Sequence, residues 1–105
     1  MRLFDDQNAE MTQHIPLTAG DTIRIEVRLY GPQGNQLTAA QANAEIGFRF
    51  EPTTLASAAA VPGLPLWKDI TSSAPTLTEG SLFVSVLFLA DSVTKTYGPI
   101  QVLIH

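Results

Sequence analysis

The segment at residues 81–90, SLFVSVLFLA, restricts the fold of this chain more than any other stretch. Eight of its ten residues are apolar. Side chains of a β-strand alternate between two faces, and here both faces are apolar: Leu82, Val84, Val86 and Phe88 on one, and Phe83, Leu87 and Leu89 on the other. A strand with one solvated face would alternate apolar and polar residues, so the segment predicts a strand that needs cover on both faces.

Two other segments alternate regularly and predict strands with one buried face. Residues 21–30, DTIRIEVRLY, place apolar side chains on one face and mostly charged ones on the other, and residues 44–51, AEIGFRFE, repeat the pattern. Further strands are predicted at residues 10–17, 66–71 and 96–105, with a polar turn at residues 72–80. The strand at residues 10–17 is expected at a sheet edge, because Pro16 has no N–H to donate to a neighbouring strand.

Residues 52–65, PTTLASAAAVPGLP, predict a long irregular loop. Three prolines and a glycine disfavour regular structure across this segment. Its remaining residues are largely apolar, so we do not expect a freely solvated linker. Two alternatives follow: the loop folds back as a lid over Phe83, Leu87 and Leu89, which we prefer, or it contacts a partner chain.

The segments together predict an all-β fold. Six or seven short strands separated by turns, with residues 37–43 as a loop or a single helical turn, are typical of an antiparallel immunoglobulin-like β-sandwich. The length of 105 residues fits one domain over residues 1–105. A short N-terminal arm is expected at residues 1–9, in which Leu3 and Phe4 either anchor the arm to this domain or a neighbour, or form a terminal strand on the domain's own core.

The composition excludes several classes of partner. The net charge is −4 and the six basic residues are spread along the chain, so we expect no nucleic acid partner. The absence of cysteine excludes a disulfide framework and thiolate metal sites. No apolar run approaches the length that spans a bilayer, and Asp5, Asp6 and Glu10 interrupt the N-terminus where a signal peptide is continuously apolar. We expect a soluble chain with no N-terminal export signal and no membrane contact.

Residues that carry catalysis or metal binding are few and scattered. His14 and His105 lie near opposite ends of the sequence and lack the spacing of a metal site. No serine stands in a GxSxG turn, and no acidic run has the spacing of a calcium loop. We therefore predict no catalytic residues, no metal, no cofactor, and a function other than that of an enzyme.

Two stretches resemble a known family. In residues 20–48 and 79–104, the matching positions are Gly20-Asp21-Thr22, Gly34, Leu37-Thr38, Gly80, Leu89, Thr94 and Tyr97. This pattern resembles small immunoglobulin-like domains of tailed-phage structural proteins, and bacterial immunoglobulin-like adhesin repeats share its first half. The long segment at residues 52–65 departs from the phage baseplate pattern. The resemblance implies a β-sandwich fold and no catalytic residues.

The first functional hypothesis is a non-enzymatic structural protein of a phage particle. It would dock on the capsid surface as a decoration protein or on the tail or baseplate as an adaptor, and would be found in the virion and in the host cytoplasm during assembly. Its partners would be copies of itself, with a trimer as one arrangement, and other virion structural proteins. The low charged fraction of 15% agrees with burial against partners. The candidate interface residues are Leu3, Phe4, Leu55, Val61, Leu64, Trp67, Phe83, Leu87, Leu89 and Leu103.

The alternative hypothesis is a bacterial immunoglobulin-like adhesin or a carbohydrate-binding module. A protein of this class recognises a sugar or a host surface, and aromatic side chains commonly supply the contact area. It predicts an exposed aromatic cluster around Trp67, Tyr30 or Tyr97.

Overall fold

The computed structural model describes residues 1–73 and 78–105, which form eight strands and one short helix. The strands in chain order are β1 (Arg2–Asp5), β2 (Ile15–Leu17), β3 (Thr22–Arg28), β4 (Ala44–Glu51), β5 (Ala56–Val61), β6 (Leu64–Ser72), β7 (Glu79–Phe88) and β8 (Val93–Ile104). The helix α1 (Ala39–Ala42) precedes β4. The centre of the predicted turn at residues 72–80 lies outside the described residues.

The strands form two four-stranded sheets. Sheet A has the order β1-β3-β6-β5, and sheet B has the order β2-β8-β7-β4. Neighbouring strands are antiparallel except β2 and β8, which are parallel. The predicted all-β class is confirmed, and the two-sheet arrangement is consistent with a β-sandwich.

One buried cluster joins the inner faces of the two sheets. It includes Ile25 and Ile70 of sheet A and Val84, Val86 and Val102 of sheet B, each with 0% of its surface exposed. All of these residues except Ile70 come from the alternating positions that the sequence predicts to face inward. The core thus covers one face of the apolar strand β7, and sheet B leaves the other face directed outward.

The prediction of a long loop at residues 52–65 is wrong. Residues Ala56–Val61 form β5, which pairs with β6 in sheet A. Pro62 and Gly63 make the connecting turn, in which Gly63 has a φ of +78° that other residues rarely adopt. Because this hairpin belongs to the opposite sheet, it does not form the predicted lid over Phe83 and Leu87.

The predicted N-terminal arm is a strand of the domain. β1 pairs with β3 antiparallel, with Leu3 opposite Val27, so the terminal-strand alternative is the correct one. The edge strand expected at residues 10–17 is confirmed but shorter, since only Ile15–Leu17 pairs with the end of β8. Residues 37–43 contain a single helical turn, which Thr38 caps through a hydrogen bond from the Gln41 backbone N–H.

The last strand begins earlier than predicted. β8 starts at Val93, because residues 89–92 already complete the turn that reverses the chain after β7. Within this turn Ser92 has a φ of +58°, and the Asp91 carboxylate accepts a hydrogen bond from the Val93 N–H at 3.2 Å. The β7–β8 connection is therefore a compact hairpin turn.

Candidate interaction surfaces

Four of the ten predicted interface residues are buried within the chain. Leu3 and Leu55 are 4% and 0% exposed and belong to the core cluster, and Val61, at the end of β5, is 7% exposed. Phe4 is 6% exposed although its side chain lies on the outer face of sheet A. These four residues are not available to a partner, and their assignment to an interface is wrong.

Arginine side chains bury Phe4 on the outer face of sheet A. The guanidinium carbon of Arg28 lies 3.6 Å from the centre of the Phe4 ring, and that of Arg2 lies 5.1 Å from it. These distances fit cation–π stacking. The hydrocarbon stems of the two arginines also cover apolar surface. Phe4, which the sequence suggests as an anchor to a neighbouring domain, is thus buried by contacts within its own chain.

Carboxylates of the same chain pair with the arginines of this face. Arg2 binds Glu10 through two hydrogen bonds of 2.5 and 2.7 Å, and Arg24 binds Asp69 through two of 2.8 and 3.1 Å. Hydrogen bonds from these arginines lower the pKa values of Glu10 and Asp69. Arg28 pairs with Glu26. The outer face of sheet A therefore presents mixed charges rather than a basic patch for phosphate.

The outer face of sheet B carries an apolar stripe along β7. The stripe consists of Phe83, Leu87 and Leu89, and Ser85 lies between the first two. Phe83 and Leu87 are half-buried, and Leu89, in the turn after β7, is 46% exposed. Leu103 is also half-buried and lies near the other end of this sheet, opposite Glu79. These residues remain accessible to a partner.

Phe83 is only partly covered by its own chain. The guanidinium carbon of Arg49, its cross-strand partner on β4, lies 4.4 Å from the ring centre. On the β8 side the strand pairing is interrupted between Leu82 and Val84, and Gly98 approaches the ring. A Cβ at Gly98 would lie 3.2 Å from the Phe83 Cδ1 atom. Arg49 and Gly98 thus cover part of the Phe83 ring, a role that we expected residues 52–65 to have.

The remaining predicted residues, Leu64 and Trp67, lie on sheet A. Leu64 is 42% exposed and Trp67 is half-buried opposite Glu26. Both line a small hollow of about 180 Å³ beside α1. The ten candidate residues therefore divide among buried positions within the chain, the outer face of sheet B and this hollow, and do not form one surface.

The three aromatic side chains named by the adhesin hypothesis do not lie together. Tyr30 lies under the Arg2 guanidinium, with 5.5 Å between the guanidinium carbon and the ring centre. Tyr97 belongs to sheet B, opposite Val84, and packs against the core. Trp67 belongs to sheet A. The three aromatic side chains are thus distributed over both sheets.

Across residues 1–73 and 78–105, no group of three His, Cys, Asp or Glu side chains is placed to hold a metal ion. The same part of the chain contains no helix long and apolar enough to cross a membrane. No protein-family model matches the chain, and no curated protein matches its sequence.

Proposed function

We propose that this chain is a non-enzymatic structural domain of a tailed-phage particle, with an immunoglobulin-like fold, that docks on the capsid or tail through the outer face of sheet B. The proposal combines the sequence resemblance with the position of the apolar stripe. The observation that carries it is the stripe of Phe83, Leu87 and Leu89, which only partly packs within its own chain.

The strand order supports the immunoglobulin-like assignment. If β1 and β2 are taken as a first strand divided between the sheets, β3 to β8 take the places of strands B to G. The two sheets then correspond to ABED and to a GFC sheet extended by the second part of strand A. Because β1 and β2 together count as strand A, the eight strands fill seven immunoglobulin strand positions.

The charges of the outer face of sheet B favour a different virion protein over a second copy as the partner. Among residues 1–73 and 78–105, the outward strand positions of sheet B carry Glu45 and Glu51 of β4, Glu79 of β7 and one cation, Arg49, which forms an ion pair with Glu51. Two such faces packed together would bring like charges close, which costs free energy. The complementary surface would be an apolar centre with basic residues around it.

Apolar side chains of this kind contribute most when the partner excludes water from them. Phe83 already stacks on Arg49, and aromatic and arginine residues are enriched among the residues that dominate binding energies. Leu89 extends the stripe to an exposed turn, where a partner can reach it without any change in the fold of the domain. We therefore place the centre of the contact between Phe83 and Leu89.

The experiment compares binding of purified chain to particles from which the chain has been removed, measured by co-sedimentation. The double variant Phe83→Ser, Leu87→Ser and the single variant Leu89→Glu should each bind at least about tenfold more weakly. Leu64→Ser, on sheet A, is the matched control and should bind like the wild type. Leu89 is exposed, so its substitution should leave the domain folded. The Leu89→Glu variant therefore tests the surface even if the double variant unfolds. Unchanged binding of Leu89→Glu together with the folded double variant would refute the proposed surface.

A second candidate function, carbohydrate binding, rests on the hollow beside Trp67 and Leu64. Its volume of about 180 Å³ is below the range of roughly 300–1,000 Å³ usual for small-molecule sites. A glycan-array signal that disappears in Trp67→Ala and persists in Phe83→Ser would favour this function. The absence of such a signal would leave the structural function as the better proposal.

A further inference from the structure

The exposed edges of the two sheets are protected to very different degrees. An edge strand presents unpaired backbone N–H and C=O groups that can pair with another chain, and proteins usually block them with charges, proline, short strands or covering segments. The edge of β1 is covered by its own chain: the Leu3 carbonyl accepts a hydrogen bond from the Met11 N–H at 2.9 Å, and the Asp5 N–H donates to the Ala9 carbonyl at 3.0 Å.

Both edges of sheet B carry protecting residues. β4 has Glu45, Arg49 and Glu51 along its length. At the opposite edge, β2 is only three residues long and contains Pro16, and the part of β8 beyond it contains Lys95 and Pro99. The edges of this sheet therefore have the features that prevent strand addition.

The edge formed by β5 has none of these charges or prolines. Its six residues, ASAAAV, are uncharged, and Ser57, Ala59 and Ala60 are exposed. β5 pairs with β6 on one side. Among residues 1–73 and 78–105, no other strand or backbone hydrogen bond involves the second side of Ala56–Val61.

The direction of the free backbone groups follows from one hydrogen bond. The Leu55 carbonyl accepts from the Ser73 N–H at 3.2 Å, which directs this carbonyl toward β6, whereas the Leu55 N–H donates to the Pro52 carbonyl at 2.9 Å. Successive residues of a strand direct these groups to opposite sides, so Ala56, Ala58 and Ala60 direct theirs away from β6. The pairing of β5 with β6 stays in register through Ala60 and shifts only between Ala60 and Val61, so three donors and three acceptors lie along the free edge.

We propose that β5 pairs antiparallel with β5 of a second copy of this chain, centred on Ala58, so that the two copies of sheet A become one continuous sheet. A two-fold axis perpendicular to the sheet keeps inner and outer faces aligned. Ala58 then lies opposite Ala58 of the second copy, and Ala56 lies opposite Ala60. These are the residues whose backbone groups are free, so the register satisfies all of them.

The self-pairing is also compatible in charge and size. Ser57 lies opposite Ala59 on the outer face, so no like charges meet, whereas β4 paired with itself would bring charged side chains together. A contact based on six-residue strands buries less than the roughly 1,200 Å² of a standard interface. We therefore expect a dissociation constant in the micromolar range, and this pairing does not depend on the proposed phage function.

The test measures the mass of the purified chain by sedimentation equilibrium over a range of concentrations. The wild type should approach twice its 11.3 kDa mass. The double variant Ser57→Lys, Ala59→Lys places lysines opposite lysines across the pair, and should raise the dissociation constant at least about tenfold. The control Gln13→Lys, Gln33→Lys adds the same charge at exposed positions outside the strands and should dimerise like the wild type.

A charge-reversal experiment tests the register directly. Mixing the lysine double variant with the variant Ser57→Glu, Ala59→Glu should restore dimers, because opposite charges then face each other. Ala58→Pro should abolish dimers while the monomer stays folded, since the lost N–H points away from β6. A wild type that stays monomeric at about 1 mM overturns the proposal, even if the edge accepts a different protein. A dimer that the lysine variant leaves unchanged but Phe83→Ser, Leu87→Ser disrupts also overturns it.

Discussion

Replacement of Leu55 by alanine tests whether residues 52–65 belong to the core. Leu55 is 0% exposed, and its Cδ2 atom lies only 2.6 Å from the position that a Cβ on Gly80 would occupy. The leucine thus fills the space above a glycine on the opposite sheet. Truncation removes that contact and leaves a cavity, for which Leu→Ala substitutions cost about 2–5 kcal/mol. We expect a loss of about 3 kcal/mol, a large part of the about 5–15 kcal/mol total stability of a domain this size.

The measurement is urea unfolding followed by Trp67 fluorescence, with Leu64→Ala as the control. Leu64 lies in the same segment and is 42% exposed. Its truncation should change the free energy of unfolding by less than about 0.5 kcal/mol. The reasoning is refuted if Leu55→Ala costs less than about 1 kcal/mol, because a residue in a surface loop or lid would behave in that way.

Two further predictions concern a close contact and an ion pair. Gly80→Ala should lower stability by about 1–3 kcal/mol, because its Cβ would lie 2.6 Å from the Glu51 carbonyl oxygen, and a neutral result in the same urea assay would contradict this contact. The hydrogen bond from Arg2 lowers the pKa of Glu10 below its ordinary value of 4.5, so its stabilising effect is complete above that pH and disappears as the pH falls through the lowered pKa. The stability difference between the wild type and Glu10→Gln should therefore shrink in acid, and a difference that is constant with pH would contradict the pairing.

Strands with regular alternation could be predicted from the sequence alone. Residues 21–30 contain β3, and the side chains Ile25 and Val27 that were expected inside are both 0% exposed. This prediction succeeds because the period of two along a strand is a local property, which does not depend on the partner. The same argument identified the two apolar faces of β7.

The strand β5 could not be predicted in this way. Alanine is depleted in strands, and the residues Ala56–Val61 acquire their structure from pairing with β6. Pro62-Gly63 was the available signal, since this dipeptide favours a tight turn between paired strands. The three prolines of residues 52–65 favour irregular structure, and this signal obscured the turn between β5 and β6.

The burial of Phe4 and the partial cover of Phe83 depend on contacts across strands. Arg28 reaches Phe4 from β3, and Arg49 reaches Phe83 from β4. Which arginine lies over which ring depends on strand pairing and register, and neither is encoded in a single segment. The division of candidate residues between core and surface therefore required the structure.

The most direct test of the proposed function is quantitative mass spectrometry of purified particles from the source. The account predicts that this chain is present in a fixed ratio to the major capsid or tail protein, and that the ratio persists after washing in high salt, because an apolar contact is weakly screened. A high ratio to the capsid protein would indicate decoration, and a low one the tail or baseplate. Absence of the chain from intact particles would contradict the account.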